Sequence, residues 1–297
     1  MGNAPLPIRD GLGPDRIRMP ADLDVKTVAE FLALQYPDEA ASWHAMIERG
    51  EIVDEHARVV DAQTRYAPTR FLYFYRDPAP EIPVPFELEV LHHDDELLVV
   101  DKPHFLATIP RGAHITETAV VRLRKQFDLP ELTPAHRLDR MTAGVLVFVI
   151  QRRHRRAYQE LFVDRQVAKE YRAVARHDPN LTFPRTVRSR IVKEHGVMTA
   201  TEDPGEPNSE TRIDLVDTRS DRGLYHLEPR TGRTHQLRLH MCSLGIPIEG
   251  DNYYPEFSRS IPGDFSTPLQ LLASAVEFTD PLSGRARRFE SERFLHW

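Results

Sequence analysis

Residues 136 to 148 read HRLDRMTAGVLVF, and this segment holds the best candidate for chemistry in the chain. Asp139 stands between Arg137 and Arg140, on a loop that runs through Thr142, Ala143 and Gly144 into an apolar strand. Guanidinium groups on either side of a carboxylate favour its charged form. A charged carboxylate at a cleft edge can act as a nucleophile, and attack on a sugar carbon or an electrophilic ring is established chemistry for the residue type. Taken alone, the same residues also fit a turn with surface ion pairs. A second segment, LEPRTGRTHQLRLHMCSLGIPIEGDNYY from Leu227, predicts a strand, a Thr-Gly turn and a helix presenting His235 and Arg238. His235, His240 and Cys242 are spaced too irregularly around that helix to converge on one metal, and Cys242 reads as a small buried residue. A third, KEYRAVA from Lys169, places Tyr171 on a strand with Lys169 and Ala173 on the same face. A lone tyrosine in such a place is usually core.

Elements that could position these residues follow from periodicity. Strands are predicted at Val145 to Ile150, Lys169 to Ala175, Val187 to Val192, Thr211 to Val216, Gly223 to Glu228 and Ala273 to Phe278. Helices are predicted at Thr118 to Gln126, Arg153 to Val163 and Thr234 to Ser243. ELEVLHHDDELLVVDKP reads as two strands around a solvated acidic turn, so His92, His93, Asp94, Asp95 and Glu96 are not taken as a metal cluster. Strands outnumber helices and lack regular βαβ alternation, which predicts an α+β fold with a mixed, largely antiparallel sheet. Upstream, residues 21–76 form a small module, loosely like an S4-type domain: two helices, with Val28, Phe31, Leu32 and Leu34 as the stripe of the first, then short strands. Residues 1–20 are expected to be a flexible leader, 77–86 a proline-rich linker, and 87–297 the main domain.

With 297 residues, 40% apolar and 28% charged, the chain can bury a core, which excludes disorder and fibrous repeats. Apolar runs fall far short of the roughly 20 residues that span a bilayer, and the leader has no apolar signal region. A single cysteine, Cys242, fits a reducing compartment, so a cytoplasmic protein is expected. The net charge of −6 hides an asymmetry: residues 136–195 carry 14 Lys and Arg against 6 Asp and Glu, whereas residues 21–100 carry 6 against 17. Such a central positive surface suits phosphate. No GxGxxG, GxxxxGK[ST], HExxH, paired CxxC or GxSxG motif is present, which removes the sequence support for dinucleotide, P-loop, zinc and serine-hydrolase chemistry.

In order, VVDKP, HRLDR-x-TAG, KEYRA and TGRTHQLRLH…LGIPIEGDNYY resemble the RluA-type family of pseudouridine synthases, from about Phe86 to the C-terminus. The resemblance implies an RNA enzyme without metal or cofactor, acting on ribosomal or transfer RNA, and a monomer is expected because no long apolar helix or heptad suggests an interface. It implies that Asp139 attacks the target uridine, at C1′ or at the ring. Arg137 would help displace the base, Tyr171 would stack on the uracil and assist proton transfer, and Arg238 would pair with Asp139. Arg140, Thr142, Arg233, His235 and Leu271 would complete the substrate pocket. Two positions depart from the family: Ala143 where Ser is usual and Leu272 where His is common. The helix QRRHRRAYQELFVDRQ turns Tyr158, Leu161 and Phe162 inward and Arg152, Arg153, Arg155 and Arg156 outward as candidates for phosphate contact near the active-site loop. A fold-retaining RNA-binding or ribosome-assembly factor is the alternative; a glycosidase pairing Asp139 with Asp164 or Glu228 has little support.

Overall fold

The computed structural model describes residues 4–76, 79–259 and 261–297. Residues 1–3 of the expected leader and 77–78 of the expected linker lie outside them. Contacts divide the chain into two units, Met1–Pro80 and Glu81–Trp297.

The first unit contains β1 (Asp15–Arg18), α1 (Val28–Gln35), α2 (Ala40–Glu48), β2 (Val53–Asp54) and β3 (Phe71–Phe74), with an antiparallel sheet in the order β1-β3-β2. Thr27 caps α1 by accepting from the Glu30 amide at 3.2 Å, and Pro37 follows its end. Val28, Phe31 and Leu32 are buried, but Leu34 is exposed, because two residues beyond Leu32 a helix has turned about 200°. The leader is not wholly flexible. Residues 15–18 pair with β3, and Met19 enters the core beside Phe31, Trp43 and Phe74. A strand therefore precedes the helices, unlike the expected order of helices then sheet.

The second unit contains β4 (Glu89–His93), β5 (Leu97–Lys102), α3 (Ala119–Phe127), β6 (Thr133–Pro134), β7 (Ala143–Val149), α4 (Arg155–Val163), β8 (Ala168–Arg176), β9 (Arg185–Val192), β10 (Thr201–Asp203), β11 (Ser209–Arg219), β12 (Arg222–Pro229), α5 (Gln236–Ser243), β13 (Leu271–Thr279) and β14 (Ala286–Glu290). One sheet runs β10-β9-β11-β12-β8-β13-β7-β5-β4, with β14 on β13 and β6 on β7. The fold is α+β with a mixed, largely antiparallel sheet. Strands β5 and β7 are buried along their whole length: β7 is apolar throughout, while β5 runs from Leu97–Val100 into the buried Asp101 and Lys102. Val145, Val147 and Val149 pack with Tyr158 and Leu161 of α4 and with Val276 and Phe278 of β13.

The β7–β13 pairing is parallel and only two residues deep, Leu272 with Ala143 and Ala273 with Gly144. Gly144 is there because nothing larger fits: its φ is +112°, and a Cβ would stand 2.2 Å from the Ala273 carbonyl oxygen. Tyr171 of β8 pairs with Ala273 on one side and Leu227 of β12 on the other. Segments 136–144, 169–173 and 227–238 thus meet where the two halves of the sheet join.

Candidate active site

Asp139 sits in the loop before β7, and the chain on both sides of it is tied down. Thr108 Oγ1 donates to the Leu138 carbonyl at 2.8 Å and accepts from the Leu138 amide at 3.2 Å. His104 Nδ1 donates to the Met141 carbonyl at 2.7 Å. The Lys102 ammonium, fully buried, donates to the carbonyls of Pro103 (2.8 Å), Leu106 (2.8 Å) and Arg140 (3.3 Å). Burial pulls its pKa down to about 7 against the opposing charge of Asp139. The Thr142 amide closes the turn on the Asp139 carbonyl at 3.1 Å. The Asp139 side chain remains partly open to solvent, 4.0 Å from His235 Nε2.

An open cleft lies over this carboxylate. Its walls include Arg137, Asp139, Thr142, Lys169, Tyr171, Arg233, His235, Arg238 and Leu271, and Asp139 is the only carboxylate among the lining residues. Burial, with the Asp139 charge second, pushes the Tyr171 hydroxyl pKa up, so at neutral pH it is an uncharged phenol. Burial brings Lys169 down to about 8; its ammonium donates to the Thr231 carbonyl at 3.1 Å. Gln236 locks the 230–236 turn: Oε1 accepts from Thr231 Oγ1 (2.7 Å) and the Arg233 amide (3.1 Å), while Nε2 donates to the Glu210 carbonyl (3.0 Å). The turn ends in His235 at φ +56°, so α5 starts at Gln236 rather than Thr234. Burial lowers the His235 pKa while Asp139 opposes the shift. Its Nδ1 lies 3.0 Å from the Tyr254 hydroxyl, which bonds the backbone of Ala200.

Arg238 is buried, and its partner is Asp251 rather than the expected Asp139. Nε donates to Asp251 Oδ2 at 2.8 Å, Nη2 donates to Oδ1, and Nη2 also reaches Asn252 Oδ1 at 3.3 Å. Burial opposes the charge, but these hydrogen bonds hold the Arg238 pKa above its ordinary value, and Asp139 adds to that through space. Two carboxylates thus share one guanidinium field, Asp251 anchoring it and Asp139 facing the cleft.

The family model described as RNA pseudouridylate synthase matches residues 96–243. The dual-specificity RNA pseudouridine synthase RluA of Escherichia coli K12 is 30% identical over 218 residues, covering 69% of this chain and 92% of that protein. Its counterpart in Pasteurella multocida is 31% identical over 212 residues, with coverage of 66% and 89%. The chain belongs to the RNA pseudouridylate synthase family. Among solved structures, human RNA pseudouridylate synthase domain containing 4 superposes with a TM-score of 0.54 at 26% identity, over 69% of this chain and 88% of that one. The protein is therefore an RNA pseudouridine synthase, an enzyme that isomerises uridine in RNA to pseudouridine.

Of the residues singled out in the sequence, the synthase brings Asp139, Tyr171, Arg238, Arg137, Thr142, Arg233, His235 and Leu271 to one cleft; Arg140 stands behind it, its guanidinium near the Phe105 carbonyl. Ala143, the departure on the loop, is fully buried against β13. Neither Asp164 nor Glu228 lines the cleft, and Glu228 pairs with Arg212 at 3.7 Å, so the glycosidase reading has no second carboxylate. The arginine cluster is placed differently from expectation. It leaves β7 at the end opposite Asp139, about 20 Å along a seven-residue strand. Arg152, Arg153 and Arg156 are exposed, but Arg155 is half-buried and donates to the Glu131 carbonyl. Cys242 is half-buried rather than buried. Asp94 is not simply solvated: it accepts from the Glu96 and Leu97 amides and pairs with Arg287 of β14 at 2.8 Å. Sequence reasoning missed Lys102, Lys169, Asp251 and Tyr254. Lys169 was signalled by sharing a strand face with Tyr171; the other three carried no periodic signal. Among the described residues, no group of three or more His, Cys, Asp or Glu is placed to hold a metal, and no helix is long and apolar enough to cross a membrane.

Proposed function

We propose that Asp139 is the catalytic carboxylate of this synthase and that the cleft above it holds the flipped uridine of a ribosomal or transfer RNA, with the enzyme acting as a monomer. The observation that carries the assignment is the sole carboxylate of the cleft lining, held by a clamped backbone and surrounded by Arg137, Lys169, Arg233 and Arg238. In the reaction the N1–C1′ bond breaks, the base turns, the C5–C1′ bond forms, the C5 proton leaves and N1 takes up a proton from solvent. Asp139 supplies the nucleophile, and attack at C1′ and attack at the ring both fit an open carboxylate in this position. Tyr171, a neutral phenol, offers a ring face to the uracil and a hydrogen-bond donor; it takes the C5 proton only when its own is passed to a neighbour. Leu271 supplies an apolar wall, and Thr142, His235 and Arg233 offer polar contacts to base or ribose. A flipped base costs a few kcal/mol of lost stacking, which the Tyr171 ring and the Arg137 guanidinium partly replace. Arg152, Arg153 and Arg156, at the far end of β7, would meet phosphates remote from the target. The test is tritium release from bulk RNA carrying 5-tritiated uridine. Wild type is expected to release tritium and Asp139→Asn to release none; release at an undiminished rate by the variant would overturn the assignment.

A further inference from the structure

Aromatic rings pack against two residues of the cleft lining, Arg238 and His235. The Tyr253 ring lies under the Arg238 guanidinium at 4.5 Å, and His235 approaches the same ring at 5.2 Å. Next to Tyr253 stands Phe257, with 5.5 Å between ring centroids and a tilt of 32°. Tyr253 is half-buried, whereas Phe257 is 55% exposed. The turn that carries them is fixed. Asp251 Oδ1 accepts from the Tyr253 amide at 2.8 Å and the Tyr254 amide at 3.1 Å, and the Ser258 amide donates to the Asn252 carbonyl at 2.8 Å. One carboxylate therefore ties both the Arg238 wall and the aromatic turn. Cations are close by: Arg140 is within electrostatic reach of Tyr253, and Lys193 within reach of His235. Glu256 and Arg259 flank Phe257 in sequence and offset each other.

We propose that Tyr253 and Phe257 form a stacking shelf for an unpaired nucleotide adjacent to the uridine held in the cleft. This inference rests on the assignment of the cleft as the uridine site. When a uridine is extruded, its neighbour in the strand loses a stacking face as well. An exposed ring fixed beside the cleft restores that face, and it suits any base because every base has a π surface. Contact of Tyr253 with two cleft-lining residues and the nearby cations favour a polyanionic strand as the occupant. Exposure alone does not make such a shelf. Phe294 is 91% exposed, yet it has no aromatic neighbour among the described residues.

The experiment measures binding at low salt by fluorescence anisotropy, using labelled pentauridylate and the same pentamer with the four outer bases removed. Phe257→Ala is expected to weaken pentauridylate binding about 5- to 150-fold, the range of one base stack, and to leave the abasic-flanked probe unchanged. Phe257→Trp should restore wild-type affinity, and Phe294→Ala should alter neither probe. No loss with Phe257→Ala, or an equal loss on both probes, overturns the shelf. Tritium release keeps the two assignments apart. If wild type converts RNA and Asp139→Asn does not, the cleft assignment stands, and the shelf then predicts that Phe257→Ala raises KM while kcat is kept.

Discussion

At the residue scale, the synthase arranges its charges by dividing labour between two aspartates. Asp251 is only 1% exposed and neutralises Arg238, itself 2% exposed, so the guanidinium is fixed before RNA arrives. Among the described residues Asp139 has no ion-pair contact closer than the 4.0 Å to His235, and it is open to the cleft, as the proposed nucleophile must be. Removing one partner of a buried pair leaves the other charge uncompensated, which costs about 3–5 kcal/mol. Asp251→Asn is therefore expected to lower unfolding free energy by about that much, read by urea titration. Its kcat should fall as well, because Arg238 and the Tyr253 turn lose their anchor together. Unchanged stability in this variant would show that Asn252 alone holds the arginine. Asp139, Tyr171 and Arg238 were legible in the sequence through the order of their motifs. The pairing of Asp251 was not, although the residue lies in the quoted LGIPIEGDNYY motif, because the choice between two carboxylates for one arginine is made by packing. Lys102 escaped for the same reason, since one of its three carbonyl partners, Arg140, lies 38 residues along the chain from it.

At the element scale, the site depends on the short parallel seam between β7 and β13. Each predicted long strand is present, within one to three residues at its ends, because apolar alternation and unbroken apolar runs survive any tertiary context. Strands β1, β6, β10 and β14 escaped. They are two to five residues long and mostly polar, and each forms by pairing with a neighbouring strand rather than from a pattern of its own. The seam itself was visible only as a glycine in TAG. Gly144→Ala pushes a methyl group into the Ala273 carbonyl at a φ that L residues rarely adopt. We expect a loss of about 3 kcal/mol or more, combining backbone strain with overpacking. Melting followed by circular dichroism would register this. Activity should fall further than stability, since β7 and β13 carry Asp139 and Leu271 to the same cleft. A variant that melts like the wild type would mean that the seam can open without cost.

At the scale of the whole molecule, the interior of the synthase unit is built with neutral histidines. His136 stacks on Phe162 at 4.4 Å and accepts the Val147 amide at 3.2 Å; burial and then Lys169 bring its pKa down to about 3. His240, with no exposed surface, bonds Thr211 Oγ1 at 2.8 Å and lies near the Ser189 and Ser209 hydroxyls, and burial lowers it to about 4. His104, one of the clamps on the Asp139 loop, is lowered to about 4, again mainly by burial. An unfolded chain would protonate all three near pH 6.5. Between that value and the folded pKa the unfolded state therefore holds more protons, and stability falls as pH falls. The slope approaches 1.4 kcal/mol per pH unit for each group once pH is well below 6.5. The carboxylates with depressed pKa values, such as Asp94 and Asp280, lose their contribution only below about pH 4, so they do not obscure this window. Urea titrations at about pH 7 and pH 5 should differ by several kcal/mol, with the acid sample less stable. His240→Gln, which cannot be protonated, should shrink that difference even if it lowers stability at pH 7. Equal stability at the two pH values would mean that water or rearrangement admits the protons, and the clamp on Asp139 would then be looser in acid than its neutral geometry implies.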